Sequence, residues 1–480
     1  MSTSFREAFR ELLASWTGRV GVGLFLFLVG ISLYVLATYP LDFGKQWGDP
    51  KQWEDNPQAV PPGWITLFDR GRVKHTILDE NTPSEVRGEG GRHVTLYRVP
   101  ISYDFDEFPT FLSITLRQVT YQTRPPLITV LLDRPDGKEM LLLRHLVRGP
   151  REGEELPITR YSETPFRVSL SSDENVLSNI DSFYRREYGL RLPQRKLQGL
   201  LDQAIFGIPS GQDATPFQVL RGDYQVIVEF TAFDEGDSLD SFRFVVGGST
   251  FGALGTDNLG RDLAKGLLFG FPIALFIGLM ASILTTTIGT ILGITSGYIG
   301  GKTDTIIQRF ADVVANVPLL PLLILLVFIL RDRPYKLIYI ILLLVAFSWP
   351  GLTILIRSMV LQLKTGQFVE ASLSLGASRW RIMFKHIFPQ TAPFVFSQMI
   401  FFVPSAILAE ASLSFLGLGD PSMLTWGQIL EAAFRTGAVF VGYWWWVLPP
   451  GLLIVLTAVT FVFLALGMER VVNPRLRSMV

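Results

Sequence analysis

Six apolar runs, each long enough to cross a bilayer, limit this chain more than any other feature, because lipid offers a spanning backbone no hydrogen-bond partner except itself. They cover roughly Val20 to Ala37, Leu267 to Ile294, Val313 to Leu330, Leu337 to Ile356, Phe394 to Leu416 and Tyr443 to Leu466. The first exceeds the about 7 to 15 residues of a signal-peptide core, and Tyr39-Pro40-Leu41-Asp42 behind it is no small-residue cleavage site. It reads as a retained anchor.

Charge divides the chain in two. Residues 41–250 carry 31 acids and 24 bases, whereas the rest carries only 12 acids and 19 bases. The first composition is that of a soluble domain and the second that of membrane helices. Three segments are therefore expected: 1–40 as a cytoplasmic N-terminus with the first span, 41–250 as an extracytoplasmic insertion, and 251–480 as a five-span core. Acids and bases balance at 43 each, so no net field calls for nucleic acid, and the partner implied by composition is membrane lipid. With no cysteine, the outer segment has neither disulfides nor thiolate metal sites and stands on its core alone.

Orientation follows the basic residues. With the N-terminus inside, the cytoplasmic ends hold Arg6, Arg10, Arg19, Lys302, Arg309, Arg357, Lys364, Arg379, Arg381, Lys385, Arg470, Arg475 and Arg477. Arg261, Lys265, Arg331, Arg333, Lys336 and Arg435 oppose it. Both termini are then cytoplasmic in a multi-pass cell (inner) membrane protein.

Within 41–250 strands are expected at Val94–Tyr103, Phe111–Tyr121, Leu127–Leu132, Met140–Val147, Phe166–Leu170, Tyr224–Phe233 and Phe242–Val246, with a hairpin turn at Arg134-Pro135-Asp136-Gly137. That pattern predicts a mainly-β, sandwich-like domain. A helical insertion is expected from a cap at Ser172 or Asp173 to Tyr188, stopped by Gly189, and again from Arg195 to Phe206. Tyr224 sits where a tyrosine corner would place it, its hydroxyl bonding back to nearby backbone. The overlapping Arg221-Gly222-Asp223 is an adhesion tripeptide, a match that chance supplies in many proteins.

Catalytic and metal residues are not in evidence. The four histidines, His75, His93, His145 and His386, form no His-x-x-x-His pair. Two phosphate-loop lookalikes fail on chemistry. Gly255 to Asp262 puts Arg261 and Asp262 where a lysine and a hydroxyl belong, and Gly300-Gly301-Lys302-Thr303 follows a membrane helix rather than a strand. Neither a cofactor nor a nucleotide is expected on this chain.

The informative cytoplasmic stretch is 366–390: a short helix, a Gly376-Ala377 break, Ser378 capping a second basic helix, and Pro389 ending it. Such a knob suits a socket on a soluble partner, and its basic residues equally suit lipid headgroups. Two acids stand out in the membrane part. Asp312 lies three residues after Arg309, as a local structural ion pair would. Glu410 lies within the fifth run with no base within four positions, which suits a pathway or helix-packing role or, alternatively, a wetted membrane edge.

Residues 366–390 resemble the coupling motif of ABC importer permeases, carried here by Glu370-Ala371-Ser372, Gly376 with Ala377, and His386-Ile387-Phe388-Pro389, with Ser372, His386 and Phe388 as departures. Further segments are similar to the second permease subunit of the dipeptide, oligopeptide and nickel family: Leu254 to Asp262, Gly297 to Gly301 with Asp304, Arg309, Asp312 and Pro318, Glu410 to Gly419 with Trp426-Gly427, Leu448 to Gly451, and Asn473-Pro474-Arg475. The likeness is loose over 1–40 and close over 251–480, and 41–250 departs from it.

The resemblance implies a six-helix permease that is not itself an enzyme. It would pair with a second permease subunit, receive substrate from an extracytoplasmic binding protein, and couple through Glu370, Ala371, Gly376, Ala377 and Pro389 to two ATP-binding subunits. Peptides lead as substrates, with nickel chelates or oligosaccharides behind. The competing reading is a membrane-anchored sensor or adhesion protein acting through its outer β-domain.

Overall fold

The computed structural model describes residues 5–40, 42–89, 92–192, 197–210, 216–330, 336–420 and 422–472. Arg195, the Arg331-Asp332-Arg333 cluster, Asn473-Pro474-Arg475 and Arg477 lie outside them. The chain forms two compact units, one of Met1–Asp49 with Ala264–Val480 and one of Pro50–Leu263.

The Pro50–Leu263 unit is mainly β. Its larger sheets run in the orders β1 (Thr76–Glu80), β12 (Ser238–Val246), β4 (Leu112–Tyr121), β7 (Ile158–Arg160), with β8 (Phe166–Ser169) also on β4, and β2 (Glu85–Glu89), β3 (Arg92–Tyr103), β11 (Gly222–Ala232), β5 (Leu127–Asp133), β6 (Glu139–Leu146). All of these pairings are antiparallel. Leu112, Ile114, Leu116 and Phe244 from one sheet and Val130, Val226, Val228 and Phe230 from the other are buried in one cluster. A ribbon of β9 (Gly207–Pro209) and β10 (Phe217–Val219) stands apart from both sheets.

Between the strands, Asp173 caps the helix Glu174–Tyr188 by accepting from the amides of Asn175 and Val176 at 2.8 and 3.2 Å. Gly189, at φ +67°, ends it in the left-handed region that glycine enters without strain. Of the second expected helix, 195–206, the described residues keep Leu197 and Leu201–Ile205 helical, with a turn at 198–199 between them. Leu200, the residue before Leu201–Ile205, offers no side-chain oxygen to cap a longer helix. The Tyr224 hydroxyl donates to the Leu220 carbonyl at 2.7 Å, closing the corner four residues upstream.

Arg134, expected only as a turn residue, has a fully buried side chain. It donates to the carbonyls of Ala204, Ile205 and Gly207 at 3.2, 3.1 and 2.8 Å and lies 5.5 Å from the Phe183 ring. These bonds satisfy the carbonyls around Leu201–Ile205, where the backbone leaves its helix.

In the other unit four helices are long and apolar enough to cross a membrane: Trp16–Thr38, Leu263–Ile299, Arg379–Phe415 and Trp444–Met468. The first and last lie backbone to backbone. A β-carbon on Gly21 would fall 2.7 Å from the Leu464 amide, and one on Gly467 would fall 2.6 Å from the Gly18 Cα. Only glycine permits that approach.

The third and fourth apolar runs are not straight. Gly301–Ala315 and Leu319–Ile329 meet at 82°, and Lys336–Ser348 and Pro350–Lys364 at 41°. Each break falls before a proline, Pro318 and Pro350, whose missing amide and ring disfavour helix in the preceding residue. At about 1.5 Å per residue, Leu319–Ile329 alone is far shorter than the roughly 30 Å hydrocarbon core.

Candidate functional site

The knob at 366–390 is built as a pair of caps around one glycine. Gly366 precedes the helix Gln367–Ser374, and Gly376, at φ +75°, reverses the chain, with its amide donating to Leu373 and the Ala377 amide to Ser372 at 2.9 and 3.0 Å. The Ser378 hydroxyl then accepts from the Arg381 amide and starts the next helix. One side of this segment is anchored: Val369, Ile382, Met383 and Ile387 are buried in a cluster with Ile294, Tyr298, Leu352, Ile356 and Val360. The other side is bare. Glu370 and Ala371 are exposed, and so are Leu373, Leu375, Trp380 and Phe384, with the Trp380 and Phe384 rings stacked at 5.8 Å.

Pro389 does not end the second helix. Helix continues from Arg379 to Phe415 through a π turn at Met383–Ile387, in which the Phe388 amide reaches back to the Met383 carbonyl. The wider turn, with the Gln390 side chain donating to the His386 carbonyl at 2.8 Å, takes up backbone groups that the proline leaves out of register. The same turn borders an apolar cavity of about 260 Å³, lined by Thr286, Thr290 and Thr295 from Leu263–Ile299 and by Trp380, Met383 and Phe388.

Glu410 is buried, and the Ser414 hydroxyl donates to its carboxylate at 2.5 Å. It points into packed protein, with Thr425 beside it. Arg309 and Asp312 are both exposed, and among the described residues no ion pair joins them. Exposed charges at that spacing gain too little to hold two long side chains together.

The bound carboxylate of this region is Asp304. Arg357 grips it with two hydrogen bonds of 2.6 Å, the Ser296 hydroxyl adds a third at 2.5 Å, and Gln308 donates to Ser296 at 3.0 Å. The network ties the end of Leu263–Ile299 to Gly301–Ala315 and to Pro350–Lys364, the helix that leads into the knob. Sequence alone does not link Asp304 with Arg357, since 53 positions separate them. Their only signal was opposite charge at the ends of apolar runs.

The first phosphate-loop lookalike is filled by its own side chain. Asp257 is fully buried and accepts from the amides of Leu259 and Arg261 at 2.9 Å each and from the Arg261 guanidinium at 2.5 Å. Among the described residues no cluster of three His, Asp or Glu could hold a metal ion.

Residues 289–478 match the family described as the binding-protein-dependent transport system inner membrane component. The dipeptide transport system permease protein DppC of Bacillus subtilis is 37% identical over 224 residues, 46% of this chain and 68% of that protein. The oligopeptide transport system permease protein OppC of the same organism is 38% identical over 225 residues, 47% and 72%. The chain belongs to this permease family. A glutathione transport system permease protein, GsiD of Pectobacterium atrosepticum, is 35% identical over 250 residues, 51% of this chain and 80% of that protein. The permease is thus a membrane subunit of an ABC importer, and ATP hydrolysis belongs to separate subunits. Importers of this family work with a binding protein, ATPase subunits and a further permease. The sensor or adhesion reading is not favoured, and Arg221 of the adhesion-like tripeptide is engaged by Asp104 and Asp106. The family match begins well after residue 250, so it assigns nothing to the outer block.

Proposed function

We propose that this permease moves peptides inward, as one of two permease subunits over two ATPase subunits, with six spans in which each bent helix pair counts as one. Residues 1–40 and 251–480 form the permease core on this reading. Residues 41–250 form a sandwich-like outer domain that meets the binding protein or a sister subunit's outer loops. The knob at 366–390 is the ATPase contact. What carries this reading is its two-sidedness: Val369, Ile382, Met383 and Ile387 fix it to the core, while Glu370, Leu375, Trp380 and Phe384 remain free for a partner. An anchored knob transmits motion because it cannot move without the helices behind it. Glu370 offers a charge to the ATPase groove, Ala371 a close approach, Gly376 and Ala377 the reversal, and Pro389 the passage into the fifth span. Glu410 serves helix packing, and the Asp304–Arg357 pair braces the knob's root.

In the assembled complex, Glu370→Lys should abolish substrate-stimulated ATP hydrolysis while membrane insertion persists; undiminished stimulation would remove the docking role. Uptake of a labelled dipeptide by the complex in vesicles tests the substrate class. Cytoplasmic termini are part of the proposal. In a chain free of native cysteine, Gly137→Cys and Gly236→Cys should react with an impermeant reagent from outside and Ser378→Cys should not.

A further inference from the structure

In the Pro50–Leu263 unit an apolar ridge adjoins a basic pocket. The ridge is the 3₁₀ turn Gly63–Leu67 and the residue after it: Leu67 is 76% exposed, Phe68 84% and Trp64 45%. A few residues on, Arg70, Lys74 and His75 line an open cavity of about 550 Å³ together with Phe105 and Phe251. Arg72, also on its wall, is engaged by Asp69 at 3.0 Å, but among the described residues Arg70 and Lys74 have no carboxylate within bonding distance. His75 accepts from the Gly248 amide through Nδ1, and its buried Nε2 has no hydrogen-bond partner.

The ridge is tied to the chain that enters the membrane. The Gly63 amide donates to Gly252, Phe251 to Pro61, Thr256 to Val60 and Ala59 to Asp257, at 2.8, 2.9, 2.9 and 2.7 Å. The Trp64 indole donates to Ala253 at 3.1 Å. Leu263, first residue of the apolar helix Leu263–Ile299, donates its amide to Gly255 at 3.1 Å. A ridge stitched to residues 251–257 therefore stays within a few residues' reach of the point where that helix begins. Large apolar side chains beside unpaired cations are the composition of a membrane-interface surface, with aromatic residues at headgroup depth and basic residues on phosphate.

We propose that this ridge and pocket bind the outer leaflet through an anionic phospholipid: Leu67 and Phe68 enter the acyl boundary, and Arg70 and Lys74 take the headgroup phosphate. The proposal rests on the reading that Leu263–Ile299 is a span whose start lies on the outer side. Each basic residue near an anionic surface raises partitioning about fivefold, so the pair gives preference for anionic lipid over neutral lipid.

The test uses the full chain, with an environment-sensitive fluorophore at Phe68→Cys or, as the control, at Gly137→Cys in the Arg134–Lys138 turn. Reconstitution is into phosphatidylcholine vesicles with or without phosphatidylglycerol, doped with nitroxide-labelled lipid. The Phe68 label should be blue-shifted and quenched, at least about twofold more with phosphatidylglycerol, while the Gly137 label is not quenched; Arg70→Glu with Lys74→Glu should erase the phosphatidylglycerol increment. A Phe68 label as water-exposed as the Gly137 label, or equal quenching of both, overturns the proposal. Equal quenching of the Phe68 label with and without phosphatidylglycerol overturns the headgroup assignment, and shielding that needs added binding protein reassigns the ridge to a protein partner. No ATPase or transport enters the measurement, so its failure leaves the permease reading standing.

Discussion

Gly376 is where the proposed coupling can be perturbed with the least ambiguity. Its φ is +75°, and a β-carbon built on it would meet no atom within 4 Å, so a substitution there changes backbone energy without changing packing. A non-glycine residue in the left-handed region costs roughly 1–2 kcal/mol, more when β-branched, while asparagine is among the residues that enter it most readily. The reversal is held by two backbone hydrogen bonds, Gly376 to Leu373 and Ala377 to Ser372, each worth about 0.5–1.5 kcal/mol net. Strain and restraint are thus comparable. Gly376→Val should leave the knob in its docking geometry for a minor fraction of the time, a change of about 5- to 30-fold in that equilibrium. Gly376→Asn should sit near wild type and Gly376→Ala between. The assay is substrate-stimulated ATP hydrolysis by the assembled complex in vesicles, with permease content measured by immunoblot. Stimulation ranked Asn above Ala above Val supports the reasoning. Wild-type stimulation in Gly376→Val would show that the reversal does not govern coupling.

Three further outcomes are expected. Asp304→Asn with Arg357→Met, taken as a double-mutant cycle on the detergent-solubilised chain, should give a coupling of about 1–3 kcal/mol, and a value under about 0.5 would deny the pair a bracing role. In the excised Pro50–Leu263 unit, Arg134→Met should lower urea stability by about 1.5–3 kcal/mol, because the Ile205 carbonyl and the Asp136 carboxylate lose a charged partner while the Tyr184 hydroxyl still serves Ala204 and Gly207; a loss below about 1 kcal/mol would contradict that accounting. Burial pushes the Asp202 carboxyl from 3.8 up to about 6, against the opposing Ser171 hydrogen bond. The folded state then holds that proton to higher pH than the unfolded chain does, so its share of stability is fully present below about pH 4 and is lost as pH rises through about 6. Asp202→Asn should flatten that decline between pH 4 and 7, and an unchanged pH slope would contradict the shift.

What sequence could disclose was local. Asp173 and Gly189 mark both ends of Glu174–Tyr188 because caps act within one turn of the residue that supplies them, and Tyr224 marks its corner because the partner carbonyl is four residues away. The long strands announced themselves by alternation; β1, β2, β7, β9 and β10 span only three to five residues, too few to alternate, and β1 and β7 owe their pairing to neighbours far along the chain. The same limit hid Arg134, whose carbonyl partners lie about 70 positions on, and the Asp304–Arg357 pair. Apolar runs gave hydrophobicity without direction, so the 82° bend before Pro318 was invisible in composition although the proline itself was in plain sight. At Pro389 the local rule pointed the wrong way, because a π turn carried the helix past it.

The glycine seam between Trp16–Thr38 and Trp444–Val472 has a consequence for biogenesis. Its two halves are made at opposite ends of translation, separated by roughly 450 residues, so at about 5–20 residues per second the first helix sits in the bilayer for roughly 20–90 s before its partner exists. During that interval the Pro50–Leu263 unit is made and, on the proposed topology, crosses the membrane tethered by a helix with no mate. Emergence of the last helix then supplies the missing face of the seam, and a ribosome that stalls before Gly467 leaves Gly18 and Gly21 without it, an open seam by which membrane quality control could recognise the unfinished chain.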